Sequence, residues 1–187
     1  MKNRCGWVQK EALMEKYHDE EWGRPLHDDT KLFEFLILEG MQAGLSWMTI
    51  LRKREAFRKA YEGFDVLKIA QFGPEKIEEL MSNSDIIRNR MKIEASVNNA
   101  KRFLDVVDEF GSFDHYIWSF VNHQPIINRW EKLSEIPAKT ELSDQISSDL
   151  KRRGFKFVGS TVIYAHMQAT GMVIDHLVQC FCHPENH

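Results

Sequence analysis

The sequence predicts an all-α fold for its 187 residues, and three observations point that way. Apolar residues recur with a helical period along most of the chain. Capping residues and glycines punctuate those periodic stretches. No sustained alternation of β-branched residues marks a strand. A composition of 43% hydrophobic and 28% charged residues fits a soluble globular chain with enough apolar surface for a core. No repeat, low-complexity tract or linker divides it, so one domain over residues 1–187 is expected.

Each element has a local reason. DDTKLFEFLILEGMQAG opens with residues suited to capping and carries an apolar helix that should end near Gly40 or Gly44. In SWMTILRKREAFRKAYEG, Ser46 is placed to cap the start and Gly63 lies just past the end. GPEKIEELMS puts Pro74 in a first turn. RMKIEASVNNAKRFLDVVDEFG is a longer amphipathic helix stopping before Gly111, and residues 112–121 form a shorter one. Residues 122–142 hold two prolines and no period, which predicts the longest irregular segment. TELSDQISSDLKRRGF, GSTVIYAHMQATG and MVIDHLVQCF are the last three helices expected.

The N-terminus has neither an apolar core segment nor a small-residue cleavage site, so no secretory signal is expected, and no apolar run is long enough to span a bilayer. Three cysteines without an export signal suit a reduced, cytoplasmic setting. The net charge of −3 argues against nucleic acid unless basic residues gather locally. Candidate patches are LRKRE at 51–55, RNRMK at 88–92 and LKRRGFKF at 150–157; taken singly, each reads as a solvated helix face.

Three constellations could carry chemistry. In LKRRGFKFVGSTVIYA, Gly154 and Gly159 bracket a short turn, and Ser160 and Thr161 open the next helix. Backbone N–H groups at such a turn can hold an anion, with Lys151, Arg152, Arg153 and Lys156 around it. An ordinary helical connection with solvated charges fits equally well. In the N-terminal part, Trp7, Tyr17, Trp22 and Trp47 surround Glu39 in FLILEGMQAGLSW. They are either core residues beside a wet carboxylate, or a pocket whose aromatic faces sandwich a planar ligand, with stacking and a buried carboxylate both favouring a cationic one. In VIDHLVQCFCHPENH, His176 and Cys180 would share one helical face, as half of a metal site.

The strings RCGWV, YHDEEWG, LEGMQAGLSW, IIRNRMKI, WSFVNHQP, LKRRGFKFVGST and DHLVQC run from residue 4 to residue 180. In order and spacing they resemble the bacterial type I 3-methyladenine DNA glycosylases, of the helix-hairpin-helix glycosylase superfamily. The resemblance implies a monofunctional enzyme that flips 3-methyladenine out of alkylated double-stranded DNA and hydrolyses its N-glycosidic bond, leaving an abasic site. It implies that Glu39 meets the base edge, Tyr17 hydrogen-bonds the base, Trp47 stacks on it, and Trp7 and Trp22 complete an aromatic wall. The family's tyrosine expected near position 14 is Met14 here.

By the same resemblance, the hairpin motif, about 142–171, is expected to grip the DNA backbone through Gly154, Lys156, Gly159, Ser160 and Thr161. Cys5 and His18 are expected to join His176 and Cys180 as ligands of one structural Zn²⁺, clipping the first helix to the last. Cys182 and His183 are rival ligands by proximity. Asp175 lies where related glycosylases place a catalytic aspartate. The resembled family is described as lacking one, so Asp175 is expected to orient His176 instead. A monomer is expected. The competing functions are a non-catalytic DNA-binding module and a zinc hydrolase of a small substrate.

Overall fold

The computed structural model describes residues 2–8 and 10–187. Its elements are α1 Ala12–Glu20, α2 Asp29–Met41, α3 Trp47–Ala60, α4 Val66–Ile69, α5 Pro74–Ser82, α6 Arg90–Phe110, α7 Phe113–Ser119, β1 Ile126–Ile127, α8 Glu141–Arg152, α9 Ser160–Ala169 and β2 Val173–Ile174. The first two long helices are capped where the sequence suggests. The Asp28 side chain accepts from Lys31 N at 2.9 Å and Ser46 Oγ from Thr49 N at 3.2 Å. Thr140 and Ser143 satisfy each other's backbone amides at the start of α8.

The organising element is α2. Every residue from Leu32 to Met41 is buried, including Glu34 and Glu39, as expected of a helix apolar nearly all round. It packs against α9, α6 and α7. Leu32, Phe33, Leu36 and Ile37 meet Ile93 and Phe103 of α6, Phe113 and Trp118 of α7, and Ile163 and Met167 of α9 in one core. A smaller cluster of Met14, Tyr17, Trp22, Phe35, Met48 and Leu51 ties α1 and α3 to the other side of α2.

The expected helix over MVIDHLVQCF does not form. Val173 and Ile174 pair in parallel with Ile126 and Ile127, and turns follow. The backbone donors go to distant partners rather than up a helical ladder. Leu177 N donates to Cys5 Sγ (3.4 Å), Val178 N to Trp130 O (2.9 Å) and Phe181 N to Asn3 O (2.8 Å). Tertiary partners outweigh a helical period in a segment this buried. His176 and Cys180 therefore converge through a turn and not along one helix face.

Candidate active site and cysteine–histidine cluster

Five of the residues singled out in the sequence line one cavity of about 400 Å³: Trp7, Tyr17, Trp22, Glu39 and Trp47. Tyr17 comes from the buried face of α1, and Trp47 is the first residue of α3, placed there by the Ser46 cap. Glu39 and Gln42 lie three residues apart at the end of α2 and so share a face. The aromatic groups brace one another. Trp7 and Trp22 meet edge to face at 5.0 Å between centroids, and Tyr17 and Trp47 lie tilted at 5.6 Å. Met14 is 4% exposed and packs behind the wall rather than lining it.

Glu39 is the anomaly. It is 5% exposed, and among the described residues its carboxyl makes no hydrogen bond or ion pair. Burial alone pushes its pKa up to about 8. The Trp47 Nε1 atom is likewise buried without a partner. Burial, followed by the nearby Glu39 and Glu21 carboxylates, holds the Tyr17 phenol well above its usual range, so it remains a neutral hydroxyl. A polar atom buried without a partner is costly; Trp47 Nε1 is one, and its residue lines the same cavity as Glu39. A second cleft of about 210 Å³ continues past Glu39, between the 43–45 loop and Thr161 and Val162 of α9.

Behind the cavity the polar groups are satisfied. Cys5 Sγ and Cys180 Sγ each lie 3.6 Å from His176 Nδ1, and Cys180 Sγ lies 3.5 Å from His18 Nε2. All four residues are buried and their ligand atoms gather within 4.8 Å of one another. A tetrahedral Zn²⁺ with Zn–S of about 2.3 Å and Zn–N of about 2.0–2.1 Å requires S···N separations of about 3.6 Å; the donor set and its spacing fit. The outer ring nitrogens are also held: His18 Nδ1 by Asp19 at 2.8 Å and His176 Nε2 by Trp22 O at 2.9 Å. Gly23 must stay a glycine, since a Cβ there would come within 2.9 Å of the His176 ring. Of the two rivals, Cys182 donates its N–H to Cys180 Sγ, directs its thiol toward the His18 and Asp19 carbonyls at 4.0 Å, and groups with His18 and Asp19 at the edge of the cluster, whereas His183 bonds to Asn128 O.

Asp175 does not orient His176, contrary to expectation. Its carboxylate, 0% exposed, accepts from Asn128 Nδ2 (2.7 Å), Trp130 Nε1 (2.8 Å), Gln168 Nε2 (3.0 Å) and the Tyr164 hydroxyl. These four donors join the irregular segment to α9 through the Asp175 carboxyl, which is not among the cavity-lining groups.

The hairpin lies between α8 and α9. Gly154, at φ +90, closes α8 with Gly154 N donating to Lys151 O and Phe155 N to Leu150 O; the left-handed turn and its paired bonds form a Schellman motif. Lys156 N does not face outward, because it donates to Asn99 Oδ1 at 2.8 Å. The N–H groups of Gly159, Ser160 and Thr161 make no hydrogen bond among the described residues. Most of the expected cations are already engaged. Arg152 and Arg153 pair with Asp149, and Arg153 also with Glu109. Arg52, Arg54 and Arg58 pair with Glu11, Glu21 and Glu34, which makes the 51–59 stretch scaffolding. Lys156 and Thr161 are exposed.

Sequence reasoning missed Gln42, Gln168, Leu133 and Ile136 in the cavity wall. Gln42 was within reach through its helical spacing from Glu39; Leu133 and Ile136 sit in the aperiodic segment, and Gln168 comes from α9.

The family model for methyladenine glycosylase matches residues 7–183. The DNA-3-methyladenine glycosylase 1 of Escherichia coli (strain K12) is 50% identical over 183 residues, 98% of each chain. The DNA-3-methyladenine glycosylase of Haemophilus influenzae is 50% identical over 182 residues, 97% of this chain and 98% of its own. Among solved structures, the 3-methyladenine DNA glycosylase I of Staphylococcus aureus, described for its recognition of 3-methyladenine, superposes with a TM-score of 0.94 at 38% identity, covering 97% of both chains. Matched from one end of the fold to the other, the chain belongs to the methyladenine glycosylase family.

Proposed function

We propose that this protein is a monofunctional DNA glycosylase that extrudes 3-methyladenine from alkylated double-stranded DNA and hydrolyses its N-glycosidic bond, leaving an abasic site. The observation that carries the reading is the buried, unpartnered Glu39 carboxyl in an aromatic-walled cavity. Family membership supports it, and so does the cleft from Glu39 to the start of α9.

An adenine methylated at N3 is cationic while it is still joined to its sugar. Its bond to the sugar is already weakened, so protonating the base is unnecessary. With a pKa near 8, Glu39 holds a proton in the empty cavity at neutral pH and gives it up as the cation enters. The carboxylate then meets the base edge, the Tyr17 hydroxyl hydrogen-bonds the base, and Trp47 stacks on it with Trp7 and Trp22 as walls. Binding of this kind favours the transition state by shielding the base as charge moves toward the sugar.

The hairpin holds the DNA backbone with the amides of Gly159, Ser160 and Thr161 and the Lys156 ammonium, while Gly154 shapes the turn. Cys5, His18, His176 and Cys180 hold one Zn²⁺, whose four protein ligands leave no open position; it is structural. It clips α1 to the C-terminal turn and fixes Trp7, Tyr17 and Trp22 beside the cavity. We assign a cytoplasmic monomer built as one domain over 1–187, with the hairpin at about 142–171 and the clasp at 5–18 and 176–180. Incubation with methylated duplex DNA tests the reading by free 3-methyladenine. Duplex binding without release would instead indicate a DNA-binding module. Loss of release on removing zinc from a protein that stays folded would revive the hydrolase.

A further inference from the structure

One face of α6 touches both parts of the machinery. Asn99, 4% exposed, holds the hairpin at two points: Oδ1 accepts from Lys156 N and Nδ2 donates to Lys156 O, both at 2.8 Å. Its neighbour Asn98 donates from Nδ2 to Gly154 O at 2.8 Å. Lys92 lies two helical turns earlier on the same face. Its Nζ donates to Met41 O (2.9 Å) and Ala43 O (3.1 Å), the carbonyls that close α2 just after Glu39.

These contacts add to the local closures of α2, where Gln42 N donates to Leu38 O, and of α8, where Gly154 N donates to Lys151 O. A two-point amide clamp on residue 156 fixes the turn before Phe157, a non-glycine residue at φ +56. Such a conformation persists only where its surroundings over-determine it. The unpartnered amides of residues 159–161 follow at once in the chain. A Cβ at Gly40 would lie 3.5 Å from Phe157 Cβ, so the hairpin and the end of α2 also approach each other directly.

We propose that α6 acts as a ruler between the phosphate grip and the base cavity, with Asn99 as the positioning residue of the hairpin and Lys92 as that of the Glu39 end of α2. Neither touches substrate. The clamp pre-orders the hairpin, so DNA does not have to order it on binding. The inference rests on the proposed glycosylase reading, but its test does not need excision.

The test measures the affinity of the full chain for unmodified duplex DNA at fixed salt, and separately its affinity for free 3-methyladenine by tryptophan fluorescence. Asn99→Leu is expected to weaken duplex binding about 10-fold and to leave the free-base affinity within about 2-fold. Asn99→Asp, which keeps the acceptor and loses the donor, should fall between it and the parent and guards against a Leu variant that fails to fold. Lys92→Met should show the other signature, with the free-base affinity falling about 10-fold. Unchanged duplex binding in both Asn99 variants would overturn the proposal, as would an equal loss of both affinities. A parent protein that binds duplex but releases no base overturns the glycosylase reading and leaves the ruler standing.

Discussion

The cysteine–histidine cluster and the aromatic cavity share a wall, yet they solve opposite problems. In the cluster, every outer ring nitrogen has an acceptor and two backbone amides point at the sulfurs. In the cavity, the Glu39 carboxyl and Trp47 Nε1 make no hydrogen bond among the described residues. Trp22 belongs to both sides, since its carbonyl accepts from His176 while its ring lines the cavity. A closed polar set does the work of holding, and an open one is ready to receive a ligand. On the proposed function, the first region contributes stability and the second chemistry.

Substitutions should separate the two. Cys180→Ser is expected to lose the metal and to destabilise the fold by at least several kcal/mol, since metal binding is folding free energy at such sites. Cys182→Ser should keep both; metal content and thermal melting read the result. An equal loss in Cys182→Ser would break the ligand assignment.

Glu39→Gln should behave in reverse, gaining stability and losing activity. Glu39 ionises at about 8 in the fold against 4.5 for the ordinary side chain. Its contribution is therefore fully present below pH 4.5 and is lost as pH rises through 8, a slope worth on the order of 3–5 kcal/mol. Glutamine has no such slope, so the variant should melt higher than the parent at pH 8. Excision should fall about 100-fold, the usual scale for losing one preorganised electrostatic group.

Smaller effects follow toward the cavity rim and the hairpin. Trp47→Ala should weaken binding of 3-methyladenine about 10-fold or more, on the scale of one base–aromatic stack, without releasing metal. Lys156→Ala should weaken duplex binding modestly and reduce the salt dependence by about one phosphate contact.

The helices were legible because local chemistry sets them. Asp28 and Ser46 cap where the sequence suggests, and Gly111 and Gly154 close their helices in left-handed geometry. The composition of the cavity was legible too, from the aromatic residues around Glu39. The C-terminal segment was not. Its apolar spacing suits a helix, but its amides are taken by Cys5, Trp130 and Asn3, and those partners are invisible to a local pattern. Asp175 was misread for the same reason, because its four donors come from residues 128–168. The arginines near the hairpin looked free in one dimension. Asp149 and Glu109 claim two of them in three.

The most direct test is the pH profile of kcat/KM for release of 3-methyladenine from methylated duplex DNA, which reports groups in the free enzyme. A carboxyl that must ionise to receive the cation gives a limb rising with pH, with a midpoint near 8 in the parent protein. Glu39→Gln should lower the rate and flatten that limb. A Glu39→Gln protein with full excision and an unchanged profile would contradict the assignment of Glu39 as the group that meets the base.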